Sequence, residues 1–120
     1  MTKSLLSKEE IEKSKLNEQI IRETAQQVVK DFRTFGIDIN FPDDLQFAYN
    51  QLYDQLKLYI AQLIETNPEK LSALLYQIDI DEKKMKNPDV ELFHEHEWIS
   101  EIILEREFVK VLTRHYFRNN

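Results

Sequence analysis

One glycine, Gly36, and three prolines are all that this chain of 120 residues offers for sharp turns. An all-β sandwich or barrel needs turn residues at roughly every tenth position, so those classes are excluded. What remains is a chain that turns rarely, and helices are the elements that need few turns. The hydrophobic fraction, 42%, is too high for a disordered chain of this charge. The length suits one domain over residues 1–120 with a modest core. No apolar run approaches the ~18 residues of a membrane span.

Four segments carry helical periodicity, and none carries a strand alternation. The first starts at Ser7, which has capping-box spacing to Glu10, and reads through to Phe35, with Gly36 placed as a left-handed terminator. Ile21, Ala25, Val28, Phe32 and Phe35 share one stripe. Towards the N-terminus that stripe turns polar, at Ser14 and Asn17, while Leu16 and Ile20 lie off it. A helix of about 29 residues would be about 43 Å long, more than a small bundle needs, so residues 1–16 are expected to project, fray or meet another chain. Ile37–Pro42 reads as a packed loop. Pro42 and Asp43–Asp44 open a second helix with the stripe Leu45, Ala48, Tyr49, Leu52, Leu56, Tyr59 and Leu63. Asn67–Pro68 caps and starts a short third helix, with Leu71, Leu74, Leu75 and Ile78 facing inward. Asn87–Pro88 repeats that signal and opens a last helix to about Phe117.

The last helix has two apolar stripes. Trp98, Ile102, Val109, Leu112 and Tyr116 form one; Leu104, Phe108 and Val111 form another, roughly 120–140° away. Ile99 and Ile103 sit on the other flank. Such a helix packs between two neighbours or gives one stripe to a second subunit. The expected architecture is all-α: a four-helix antiparallel bundle with one short helix and long first and last helices.

Lysine and arginine total 16 and aspartate and glutamate 22, a net charge of −6. Residues 41–105 carry five basic and fourteen acidic groups, a net of −9; residues 106–120 carry four basic and one acidic, a net of +3. An acidic chain does not draw phosphate backbones to it, so no nucleic-acid partner is expected. The uneven charge fits a solvated surface, or a molecule that docks head to tail or onto a basic partner. Without cysteine there is no disulfide, thiolate nucleophile or cysteine-based zinc site. The N-terminus shows no hydrophobic signal core, and the chain reads as cytoplasmic with no membrane partner.

The stretch with most chemistry is Glu91–Trp98. Glu91 and His94 have the Glu-x-x-His spacing of carboxylate-bridged di-metal bundles, and Glu101 projects towards roughly the same side. A full site needs a second such pair from a facing helix, and neither His96 nor His115 has a glutamate three residues before it. His94 and His96 diverge by about 200° on a helix and cannot clamp one ion. No metal and no cofactor are therefore expected, and a metal-dependent bundle enzyme using Glu91, His94 and Glu101 is an alternative reading. His115 reads as a packed or capping side chain, with no serine or threonine recognisably placed beside it as a nucleophile. No phosphate-cradling pattern occurs. Arg106, Lys110, Arg114 and Arg118 recur every four residues, a spacing that suits pairing with Glu107 or with glutamates of the first helix. Tyr49, Tyr53 and Tyr59 line a ligand slot in a second alternative, a small apolar ligand binder, or else are core with hydroxyls at the rim.

The run Leu71–Ile80, with its Leu74–Leu75–Tyr76–Gln77–Ile78–Asp79 phrase, and the later Ile103–Leu104–Glu105–Arg106–Glu107 phrase resemble a group of short all-helical bacterial proteins of unknown function. That resemblance implies one all-helical domain and no particular chemistry. The main expectation is a non-catalytic protein–protein interaction or structural module that self-associates as a homodimer. Its contact surface is expected on Leu104, Phe108 and Val111, with Leu16 and Ile20 next.

Overall fold

Asn17 decides the N-terminal architecture. Its side-chain Oδ1 accepts hydrogen bonds from the Gln19 and Ile20 amides at 2.9 and 3.2 Å, which starts a fresh helix there. Just before it, Leu16 and Asn17 close tight turns onto the carbonyls of Lys13 and Ser14. The continuous helix expected from Ser7 to Phe35 is therefore two helices, α1 (Lys8–Ser14) and α2 (Glu18–Arg33). Ser7 caps α1 through the Glu10 amide, as its spacing predicts. α1 contains no buried residue. The computed structural model describes residues 7–81 and 95–118. Among them all regular structure is helical, so the protein is all-α, with α3 (Ala48–Thr66), α4 (Pro68–Ile78) and α5 (Glu95–Arg118) completing five helices.

α2 ends as the sequence predicts. Gly36 takes φ +74°, and the Ile37 amide reaches back to the Phe32 carbonyl at 3.1 Å. A Cβ at this position would meet nothing within 4 Å, so the left-handed backbone alone demands glycine. Gly36→Ala is expected to cost about 1 kcal/mol, read as a fall of several degrees in Tm. An unchanged Tm would show that the turn relaxes without loss.

The following loop is packed, with Ile37 and Ile39 buried. Gln55 holds it by taking the Asn40 amide (2.8 Å) and donating to the Asn40 carbonyl (3.0 Å), and Gln51 accepts from the Asp43 amide at 3.1 Å. Asp44 caps a short 3₁₀ turn, Leu45–Phe47, before α3 begins at Ala48, a few residues later than the Pro42 signal suggests. In α3, Ala48, Leu52, Leu56, Ile60 and Leu63 are buried; Ile60 belongs to this stripe, and Tyr59 is half-buried. Asn67 caps α4 through the Lys70 amide with Pro68 in the first turn, and Leu71, Leu74, Leu75 and Ile78 are buried as expected.

α4 stops at Asp79, which is left-handed at φ 72° although no glycine marks the place. Aspartate tolerates that region better than bulky residues do. Arg106 of α5 fastens this end, donating from Nε to the Asp79 carbonyl (3.1 Å) and from Nη2 to its carboxylate (2.8 Å).

α5 packs chiefly on α3 and α2, which makes it the central helix. The deepest row along it is Ile99, Ile103, Glu107 and Val111, each 0–3% exposed. The Trp98–Tyr116 stripe is buried only in part: Trp98, Ile102 and Tyr116 are half-buried, while Val109 and Leu112 are buried. The reason is that a helix set between two neighbours buries a broad arc, which here runs from Ile99 and Ile103 on one flank to Phe108 and Val111 of the second stripe. The main core joins α2, α3, α4 and the first half of α5; Ile20, Phe108, Val109, Val111 and Leu112 form a second cluster, with Ile11 and Tyr49 against it. The expected helix start at Asn87–Pro88 lies outside the described residues.

Candidate functional site

Side chains three, four and seven residues apart on a helix share a face. On α5 this places Glu101, Leu104, Glu105 and Phe108 in one row, and on α3 it places Tyr49 and Tyr53 opposite. With Asn50 and with Lys15, from the turn after α1, they line an open groove of about 360 Å³. The Tyr49 and Phe108 rings meet edge to face, centroids 6.2 Å apart and planes at 83°. The Lys15 ammonium lies 5.8 Å above the Phe108 ring centre, 4.0 Å from Glu105 Oε2 and 3.6 Å from Glu12 Oε1. On the far side of the groove the Lys57 ammonium stands 4.7 Å over the Tyr53 ring and 3.5 Å from Asp54.

The groove is electronegative. Burial, then the charges of Glu101, Glu97 and Asp54, raises the pKa of Tyr53. Burial pushes Tyr49 up to about 12, with Thr24 working against it and Glu105 adding to it. The Tyr49 hydroxyl is buried without a hydrogen-bond partner among the described residues. Both tyrosines therefore stay neutral at physiological pH, and neither is poised as a base.

A second arrangement lies between α2 and α5. Asp31 is 3% exposed and Glu107 is fully buried. The Lys110 ammonium sits 3.0 Å from Asp31 Oδ2 and 2.6 Å from Glu107 Oε1, and Gln27 donates to Asp31 Oδ1 at 3.1 Å. Burial, then the neighbouring Asp31, pushes Glu107 up to about 8, with Lys110 opposing. For Asp31 burial acts upward, but bonds from Glu107, Lys110 and Gln27 outweigh it and its pKa is lowered. Among the described residues no N–H is aligned to donate to either Glu107 oxygen, and the Lys110 contact to it is a close charge pair rather than a directed hydrogen bond. A proton kept on Glu107 resolves the pair: one carboxyl is neutral, and the other is charged and balanced by Lys110. A fully buried Glu107 offers no surface to a substrate, so this cluster acts on stability.

A third cluster ties the end of α5 to α2. His115 Nε2 lies 2.6 Å from Glu23 Oε2, and Arg118 reaches Glu23 Oε1 at 3.4 Å. The His115 bond, then one from Gln19, brings Glu23 down to about 2 against the effect of burial. His115 is thus a cross-helix partner of Glu23. Of the basic row on α5, Lys110 pairs with Glu107 and Arg118 with Glu23 of α2, as the pairing reading predicts, while Arg106 pairs with Asp79 at the end of α4.

The expected contact residues separate in space. Leu16 is 83% exposed and Leu104 half-buried beside the groove. Ile20, Phe108 and Val111 are buried within this chain, because α5 packs between α2 and α3 and covers its second stripe there. Of the metal candidates, Glu91 and His94 lie outside the described residues and Glu101 stands in the groove wall. No three histidine, aspartate or glutamate side chains converge among the described residues. No described helix is long and apolar enough to cross a membrane.

Sequence reasoning missed the burial of Asp31 and Glu107. A signal was present: Glu107 continues the four-residue step Ile99–Ile103, and Asp31 follows Thr24 and Val28 on the buried face of α2. In comparisons with family models, curated proteins and solved structures, the chain matches none, and nothing in them bears on its resemblance to small helical bacterial proteins.

Proposed function

We propose that the protein is a non-catalytic interaction module that associates with a second copy of itself through the groove between α3 and α5. One observation carries this reading: an open surface groove combines tyrosine and leucine walls with carboxylates at its edge. The opposite charge is available on the same molecule, where exposed Lys30 and Arg114 border a shallow cleft of about 190 Å³ between α2 and α5. A basic face of one copy against the acidic groove of another makes a head-to-tail contact. The nearby Leu16 adds apolar surface beside Lys15.

Sedimentation velocity over a range of concentrations tests this. Concentration-dependent association is expected, weakened by salt and by either Leu104→Glu or Arg114→Glu, with far-UV circular dichroism unchanged. Leu104 suits this test better than Phe108, whose burial would make a charged variant unfold. A monomer at every concentration overturns the reading. Tyr49 and Tyr53 in the same groove favour a second reading, a small apolar ligand. That reading predicts a rise in Tm with an apolar ligand, which a pure docking surface does not give.

A further inference from the structure

We infer that this groove recognises an alkylammonium group, the lysine side chain of its docking partner, and that Lys15 occupies that position in the unbound chain. The inference rests on the groove being a docking surface and does not depend on the partner being a second copy. Cations bind over aromatic faces when carboxylates stand nearby to balance the charge. The groove supplies both: Tyr49 and Phe108 set edge to face, Tyr53 one turn along α3 from Tyr49, and Glu101 and Glu105 one turn apart on α5. It also shows what it accepts, since the Lys15 ammonium already lies over Phe108 and against Glu105, at 5.8 and 4.0 Å.

Lys15 is held loosely. Those separations are at the outer limits of such contacts. Its side chain is 37% exposed, and the helix before it, α1, buries no residue. A partner lysine can therefore displace it without disturbing the core. A neutral apolar group placed there gains nothing from the two glutamates at the groove edge, whereas an ammonium is attracted to both. The Lys57 ammonium over Tyr53 repeats the same chemistry one turn along α3.

The probes are n-butylammonium chloride, which reproduces the end of a lysine side chain, and n-butanol, its neutral counterpart. Each is titrated at constant ionic strength into ¹⁵N-labelled protein, wild type and Lys15→Ala. Saturable shifts are expected at the Tyr49, Tyr53, Leu104 and Glu105 amides of Lys15→Ala with butylammonium. Binding should be at least five-fold weaker in the wild type, where Lys15 competes, and at least five-fold weaker again when Glu101→Gln and Glu105→Gln are added to Lys15→Ala. Lys15→Gln, which keeps most of the stem, replaces the alanine variant if resonances of α2 to α5 move without ligand. Equal binding of butanol and butylammonium overturns the inference while leaving the groove an apolar docking surface. Equal affinity of the wild type and Lys15→Ala overturns the role of Lys15. Absence of saturable shifts with either probe overturns the inference as well, and the sedimentation experiment then decides the docking reading alone.

Discussion

Glu107→Gln is expected to stabilise the protein increasingly as pH rises, by about 3 kcal/mol between pH 4 and pH 7. In the folded chain Glu107 holds its proton up to about pH 8, against an ordinary carboxyl value of 4.5. Between those values the unfolded state binds fewer protons than the folded state, so wild-type stability falls as pH rises. Each pH unit in the window costs about 1.4 kcal/mol, and above about pH 8 the loss levels off. Glutamine cannot ionise, and it keeps the size and neutrality of the protonated carboxyl. Denaturant unfolding at several pH values measures the difference. Wild-type and variant profiles that run parallel from pH 5 to 8 would show that Glu107 ionises freely in the folded protein.

The other carboxylates act in the opposite sense and at lower pH. Glu23 and Asp31 have lowered folded pKa values, so their contributions are present above the unfolded values and are lost as pH falls through the folded ones. For Glu23 that window runs from about 4.5 down to about 2. The two tendencies meet near pH 5, where wild-type stability should be greatest.

Lys110→Met should be among the most damaging single changes on the surface-facing side of α5, costing about 3 kcal/mol or more. The side chain is only 20% exposed and balances Asp31, which is 5% exposed at its side chain, beside the buried Glu107. Removing the cation leaves two buried carboxyls facing each other, and breaking a buried ion pair from one side is far costlier than replacing it whole. Asp31→Asn added to Lys110→Met should recover most of the loss, because the remaining carboxyl then stays neutral. A double-mutant cycle on urea midpoints reads the coupling. A loss below 1 kcal/mol for the single variant, or no recovery in the double, would show that water reaches Asp31.

The legible parts of the fold were those governed by local chemistry. Gly36, Asn67 and Pro68 each act through the backbone of their own neighbours, so their roles follow from residue type and spacing. The buried rows of α3 and α4 likewise repeat at helical spacing within one segment. The break at Asn17 was not legible, because a capping asparagine and a helical asparagine look alike in a periodic run. The Leu104–Phe108–Val111 stripe was visible as apolar, but a stripe does not say whether its own chain or another covers it. The tyrosines of α3 and the leucine and phenylalanine of α5 were seen separately, as a ligand slot and as a contact surface. They line one groove because α5 lies against α3.

By itself the sequence determined an all-helical chain, its caps and terminators, and an acidic middle with a basic end. Those depend on propensity, spacing and charge, which act over a few residues or over the whole chain. Tertiary structure alone decided that Glu107 meets Asp31 and Lys110 in the interior, that Lys15 lies over Phe108, and that α5 is central. Asp31 and Lys110 are 79 residues apart in the chain. Their energies come from desolvation and from distances of a few ångströms, and packing sets both.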